Sequence, residues 1–198
     1  MEISKKIVGD EIGVLKEQYT KLEELFTTKS IPECRQIIET IDGLKEIKCK
    51  KKYPDLKSKY TWLRGYSGKT LYIFSVTNFP YDGTEIEKIF EEEKTQVSLC
   101  RINKSSPEWE NVNTNKAVCL YVGSSEDISQ RLKEHLFWCN PNTYAMHLEN
   151  WFPNDVSITI DTWNFWEFLN GENPDHLQNI EDILWNHYKP LFGRQGKK

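Results

Sequence analysis

Arg131 and His135 stand one helical turn apart in the stretch KAVCLYVGSSEDISQRLKEHL. At about 100° per residue they border the apolar face set by Ile128, Leu132 and Leu136, away from Gln130 and Lys133. Glu181 lies likewise among Leu177, Ile180, Leu184 and Tyr188, where a carboxylate is costly unless paired, protonated or bound to a cation. Asp182 projects to the polar side of the same helix. One reading joins Arg131 to Glu181 in an internal salt bridge. The other makes a site: Glu181 holds a divalent metal, Arg131 faces a phosphate, and Tyr72 and Tyr121 complete it from neighbouring strands.

Positioning these groups takes a strand for each tyrosine and a helix for each charged pair. KTLYIFSVTN alternates Leu71, Ile73, Ser75 and Thr77 with Tyr72, Phe74 and Val76, which predicts a strand. AVCLYVG predicts a second and DVSITIDTW a third. Ser124 and Asp127 form an S-x-x-D start signal for the helix that carries Arg131. The last helix is expected over Pro174 to Tyr188, stopped by Pro190 and Gly193, with a shorter helical patch around Tyr144 to Trp151.

Upstream, Ile12, Leu15, Tyr19, Leu22 and Phe26 repeat at helical steps. Ser30-Ile31-Pro32 followed by Cys34, Ile37, Ile38, Ile41 and Leu44 predicts a second helix, packed on the first as a hairpin. Between the first two strands, residues 79–115 hold a short helix over Glu85 to Glu93, a candidate strand TQVSLCRIN and a polar loop. The expectation is an α+β fold: a small, mainly antiparallel three-stranded sheet flanked by helices, with an N-terminal helical extension and an insertion.

The totals set limits. With 198 residues and 38% apolar content the chain suits one globular domain, and seven Trp, nine Tyr and nine Phe supply its core. No apolar run nears the ~20 residues of a membrane span, and the N-terminus lacks a secretory h-region, so a cytoplasmic location without membrane partners is expected. Cys34, Cys49, Cys100, Cys119 and Cys139 are odd in number and scattered, which argues against a disulfide framework and structural zinc. Net charge is −4, but Lys45, Lys48, Lys50, Lys51, Lys52, Lys57, Lys59, Arg64 and Lys69 crowd one segment. Arg194, Lys197 and Lys198 form a smaller basic cluster at the end, and acidic residues gather over Asp82 to Glu93. No helix-turn-helix or zinc-finger spacing is present.

LYVGSSEDISQRLKEHL resembles the core of the GIY-YIG nuclease family. Tyr121-Val122-Gly123 stands for its YIG element, with Arg131 and His135 following at the family's spacing. IEDILWNHYKPLF is similar to the family's C-terminal helix and selects Glu181. Thr70-Leu71-Tyr72 replaces Gly-Ile-Tyr, keeping the tyrosine. Two departures stand out: the insertion 79–115 separates the tyrosines, and Gly193 replaces the family's usual asparagine.

The resemblance implies a nuclease domain over 69–198, with its β–β–α–α–β–α order, behind an extension over 1–68. It implies a DNA endonuclease that hydrolyses phosphodiesters with Mg²⁺ or Mn²⁺. Glu181 would be the sole protein ligand of the metal, and Arg131 would neutralise phosphate charge. Tyr72 would be the best candidate to deprotonate water, its pKa lowered by Arg131, His135 or the metal, while Tyr121 and His135 orient the water. Gly123 permits a close approach or tight turn. Glu181, Arg131 and both phenols must then converge on one pocket open to solvent. Lys50, Lys51, Lys52, Arg64 and Lys69 are candidate DNA contacts, and a homodimer suits cutting of both strands. The alternative is a module that keeps the fold and binds nucleic acid without cutting it.

Overall fold

The computed structural model describes residues 5–47, 49–50, 53–66, 68–79, 81–93, 100–112, 114–137 and 142–196. Lys48, Lys51, Lys52, Cys139, Lys197, Lys198 and residues 95–99 of the candidate strand lie outside them. In chain order the elements are α1 (Lys5–Thr28), β1 (Cys34–Glu39), α2 (Ile41–Lys45), β2 (Cys49–Lys50), β3 (Tyr53–Pro54), α3 (Leu56–Lys59) and β4 (Thr70–Thr77). They continue with α4 (Gly83–Glu93), β5 (Ala117–Ser125), α5 (Ile128–Leu136), β6 (Ile158–Asn164) and α6 (His176–Tyr188). Single 3₁₀ turns occupy Thr61–Arg64, Pro107–Glu110 and Leu148–Asn150, the last being what forms in place of the expected helical patch.

The period-two runs made β4, β5 and β6, and these pair antiparallel with β4 in the middle. The α+β class with an antiparallel sheet therefore stands. The strand number does not: the sheet has four strands in the order β1-β6-β4-β5. The second helix of the expected hairpin is instead strand β1 followed by the short helix α2. Ile37 turns into the core at 1% exposure while Ile38 faces solvent at 58%, an alternation natural to β-branched neighbours. Ile41 and Leu44 belong to α2, where the Thr40 hydroxyl accepts from the Gly43 amide at 2.9 Å. Apolar residues at 37, 38, 41 and 44 fit a helical stripe as well as this strand-then-helix path.

Strand β1 also ties the expected extension over 1–68 to the main sheet. It lies along β6, pairing Cys34 with Trp163 through Glu39 with Ile158. Ile37, Ile41, Leu44, Leu56 and Leu63 share one buried cluster with Tyr72, Phe74, Leu120 and Leu132. Leu22 and Leu25 of α1 pack with Leu71, Phe165, Leu177 and Ile180. The N-terminal third is part of the same core, held by burial that each large side chain favours by roughly 1.5–3 kcal/mol.

The two sheet faces are covered differently. Tyr72, Phe74 and Val76 of β4 meet α5 through Leu132 and Leu136. Ile73, Cys119 and Val122 on the other face meet Leu184 and Trp185 of α6. In the insertion, Asp82 accepts from the Thr84 and Glu85 amides at 2.8 and 2.9 Å, and Glu85 accepts from the Asp82 amide at 2.9 Å. This reciprocal cap starts α4, which buries Ile86 and Phe90. Among the described residues no helix is long and apolar enough to cross a membrane.

Candidate active site

Helix α5 begins at Asp127, whose carboxylate accepts from the Gln130 amide at 3.1 Å. The S-x-x-D signal thus located the start, but Asp127 is the cap and Ser124 is not. Ile128, Leu132 and Leu136 are buried, as the periodicity required, while Arg131 is half-buried and His135 wholly buried. Both point at the antiparallel β4–β5 pair.

That pair carries an irregularity the sequence does not announce. Phe74 pairs with Tyr121 and Ser75 with Cys119, so Leu120 is an extra residue in β5. Cys119 faces α6, whereas Leu120 and Tyr121 both pack on the α5 side. A bulge of this kind re-aims the residues beyond it. Here it turns Tyr121 and Gly123 toward Tyr72, which lies directly across from Gly123 in the register.

The two phenol rings stack with centroids 6.1 Å apart and planes within 6°. Gly123 makes this possible. A Cβ there would lie 2.6 Å from the Tyr72 hydroxyl and 2.8 Å from Tyr121 Cε1. Gly193, at φ +99°, presses the other side of the Tyr121 ring, where a Cβ would come within 2.9 Å of Cε2.

Arg131 binds this pair as a fork. Its Nε donates to the Tyr72 hydroxyl at 3.2 Å and its Nη2 to the Tyr121 hydroxyl at 3.4 Å. Nη2 also donates to the Tyr144 carbonyl at 3.0 Å, and Nη1 pairs with Glu134 at 3.2 Å. His135 completes the cage. Its Nδ1 accepts from the Met146 amide at 3.3 Å, and its Nε2 sits 3.2 Å from the Tyr72 hydroxyl. A neutral ring that accepts at Nδ1 carries its proton on Nε2, so that nitrogen donates to Tyr72. The Tyr72 oxygen therefore receives two N–H donors, which fill its lone pairs.

The electrostatics pull in opposite directions. Burial, then Arg131 and His147, hold His135 well below its ordinary value, so the ring is neutral. It offers Tyr72 a hydrogen bond and no positive charge, contrary to the expectation that His135 would act as a cation. Burial, and then Tyr121, lift the Tyr72 phenol above its ordinary value; Arg131 opposes this and Glu181 adds to it. Burial pushes Tyr121 up to about 12, again with Arg131 opposing and Glu181 adding to the rise. Desolvation, the largest single influence, works against the Arg131 charge, but Tyr72, Tyr121 and Glu134 together hold its pKa above the ordinary value.

Glu181 approaches from α6, which packs along β5. The Ser124 hydroxyl donates to its Oε2 at 2.5 Å, and it forms no ion pair among the described residues. The internal Arg131–Glu181 salt bridge is therefore not made; Arg131 takes Glu134 instead. Burial raises the Glu181 carboxyl, with Ser124 partly compensating. Asp182 is not solvated as expected but 5% exposed, accepting from Gln178 Nε2 at 3.1 Å and the Gly196 amide at 3.2 Å. A half-buried carboxylate without a cation partner suits a hard divalent ion, which uses one or two carboxylates and keeps several waters. Among the described residues no group of three His, Cys, Asp or Glu side chains is placed to hold a metal ion.

Exposure is uneven across the five residues. Arg131, Tyr121 and Glu181 are half-buried, whereas Tyr72 at 1% and His135 at 0% are enclosed. Of the opening expected at the site, solvent reaches Arg131, Tyr121 and Glu181 in part, while Tyr72 and His135 are closed off from it. In the basic segment four side chains have partners: Lys59 pairs with Glu39 and Lys45 with Asp42, Lys69 donates to the Leu169 carbonyl at 3.2 Å, and Arg64 to that of Lys57 at 3.1 Å. Lys50 lies in β2. Ser124, Glu134 and Tyr144 are site residues the sequence reading did not single out; only Glu134, three residues past Arg131, carried a signal that spacing alone could find. The chain matches no family model, no curated protein and no solved structure.

Proposed function

We propose that this chain is a GIY-YIG-type endonuclease that hydrolyses DNA phosphodiesters with the help of one Mg²⁺ or Mn²⁺. The observation that carries the reading is the Tyr72 hydroxyl, held over Gly123 by N–H donors from Arg131 and His135 at 3.2 Å each. Loss of the phenol proton would leave an oxyanion already in a cage built for it. Glu181 would hold the metal, which supplies Lewis-acid polarisation of the phosphate when bound. Tyr72, once its phenol proton had passed to bulk solvent, would as the phenolate take a proton from the attacking water. Arg131 would neutralise the phosphate oxygens, and His135 would fix the Tyr72 oxygen while staying neutral. Tyr121, the more exposed phenol, would orient the water. Cutting both strands would take two copies of such a site.

A second reading, a DNA-binding module that does not cut, is favoured by the enclosure of Tyr72 and its raised pKa. Plasmid incubated with the chain and Mg²⁺, with and without chelator, separates the two. Cleavage that disappears with chelator, in Glu181→Ala and in Tyr72→Phe, while DNA binding persists, is the expected result. Binding without cleavage by the wild type would overturn the enzyme reading.

A further inference from the structure

Positive charge without an acidic partner is found near the site, but away from the lysine-rich segment. Arg101 comes from the insertion and Arg194 from the tail after α6. Both are exposed, and neither forms an ion pair among the described residues. A short antiparallel ladder fixes them together. The Asn103 amide donates to the Leu191 carbonyl at 2.7 Å, Ile102 pairs with Phe192, and the Gly193 amide donates to the Arg101 carbonyl at 2.8 Å. Asn103 Nδ2 adds a bond to the Pro190 carbonyl at 3.0 Å. Phe90 of α4 stacks on Phe192 with centroids 4.7 Å apart, which gives the ladder a rigid floor.

The ladder abuts the site on two sides. Gly193 lies against the Tyr121 ring. Tyr144 lies between two of the arginines: its carbonyl accepts from Arg131 at 3.0 Å, and the Arg194 guanidinium sits 5.8 Å from its ring centroid. Guanidinium groups suit bidentate phosphate contacts, and such contacts set position and affinity without reading sequence.

We propose that Arg101 and Arg194 form a phosphate-binding rim that grips the DNA backbone beside the phosphate facing Arg131. The identity of that central phosphate as the one cut rests on the endonuclease reading; the rim itself is a binding site for duplex DNA. The insertion thus brings one half of a clamp whose other half is the C-terminal tail.

Anisotropy titrations of a short labelled duplex, in chelator and between about 50 and 200 mM salt, test this directly. Each lost phosphate contact lowers the salt slope by about 0.9 and the affinity near 0.1 M salt by roughly eightfold. Arg101→Ala and Arg194→Ala should each show this loss and the double variant about twice the slope change. Arg101→Lys and Arg194→Lys should restore most of the slope, a rescue that a packing role would not give; melting curves confirm that all variants fold. Alanine variants with an unchanged slope, or a wild type that does not bind duplex, overturn the rim. A wild type that binds with the expected slope but never cuts overturns the nuclease reading and leaves the rim in place.

Discussion

Gly123→Ala is a one-carbon test of the site. Gly123 lies within a strand at an ordinary φ, so alanine suffers no backbone strain there and gains roughly 0.5–1 kcal/mol from a stiffer unfolded chain. The new methyl carbon would, however, stand 2.6 Å from the Tyr72 hydroxyl and 2.8 Å from Tyr72 Cζ, where ordinary contact begins at 3.4 Å. Tyr72 must retreat by about 0.8 Å at its oxygen. It has little room, being 1% exposed and packed between Phe74, Tyr121 and His135. Overpacking of this kind costs about 1–3 kcal/mol, so the net loss should be up to about 2.5 kcal/mol. The same retreat displaces the hydroxyl from both 3.2 Å donors, Arg131 and His135. A misplacement near 1 Å at the reacting groups costs about 10²-fold in rate. Urea unfolding gives the first number; single-turnover cleavage of plasmid by excess, saturating protein gives the second. An alanine variant that unfolds with the wild type and cuts at its rate would refute the claim that the phenol is seated on this strand.

Three further outcomes follow from the same contacts. Glu181→Gln should stabilise the chain at neutral pH: burial raises the carboxyl, so its stability contribution is full below the ordinary value of 4.5 and is lost as pH rises through the folded value. Urea midpoints of wild type and variant should converge near about pH 4 and separate as pH rises; curves that stay parallel would contradict the burial argument. His135, depressed by burial, contributes stability that is present above its ordinary 6.5 and lost as pH falls toward the folded value. Acid unfolding of His135→Gln should therefore be shallower below about pH 6.5 than that of the wild type. Arg131→Lys keeps a charge but loses the fork that reaches Tyr72, Tyr121 and Tyr144 together; kcat should fall roughly 10²–10³-fold with KM little changed, measured by plasmid cleavage under steady-state conditions.

Where one periodicity ruled, the sequence was readable. The strands around Tyr72, Tyr121 and Ile160 and the helices around Arg131 and Glu181 each had a single apolar pattern, and each formed. Ile37, Ile38, Ile41 and Leu44 had two, and partnership with β6 decided between them, a fact held by residues 120 positions away. Helical angles placed Glu181 and Arg131 on the right faces. They failed for Asp182, because an angle describes one helix and says nothing of the tail at Gly196 that folds over it. They also could not choose a partner for Arg131, which took the nearer Glu134. The bulge at Leu120 has no marker in the residues themselves, yet it brings Tyr121 to the face of Tyr72.

Strand β1 has a practical meaning for anyone who would work with less than the whole chain. A fragment starting at residue 69 would retain Tyr72, Tyr121, Arg131, His135 and Glu181. It would also strip β6 of its neighbour and leave the amides and carbonyls along a seven-residue strand as a raw border, open to any other extended segment. The motif is portable on paper only; in the molecule its scaffold begins some thirty-five residues earlier, at Cys34.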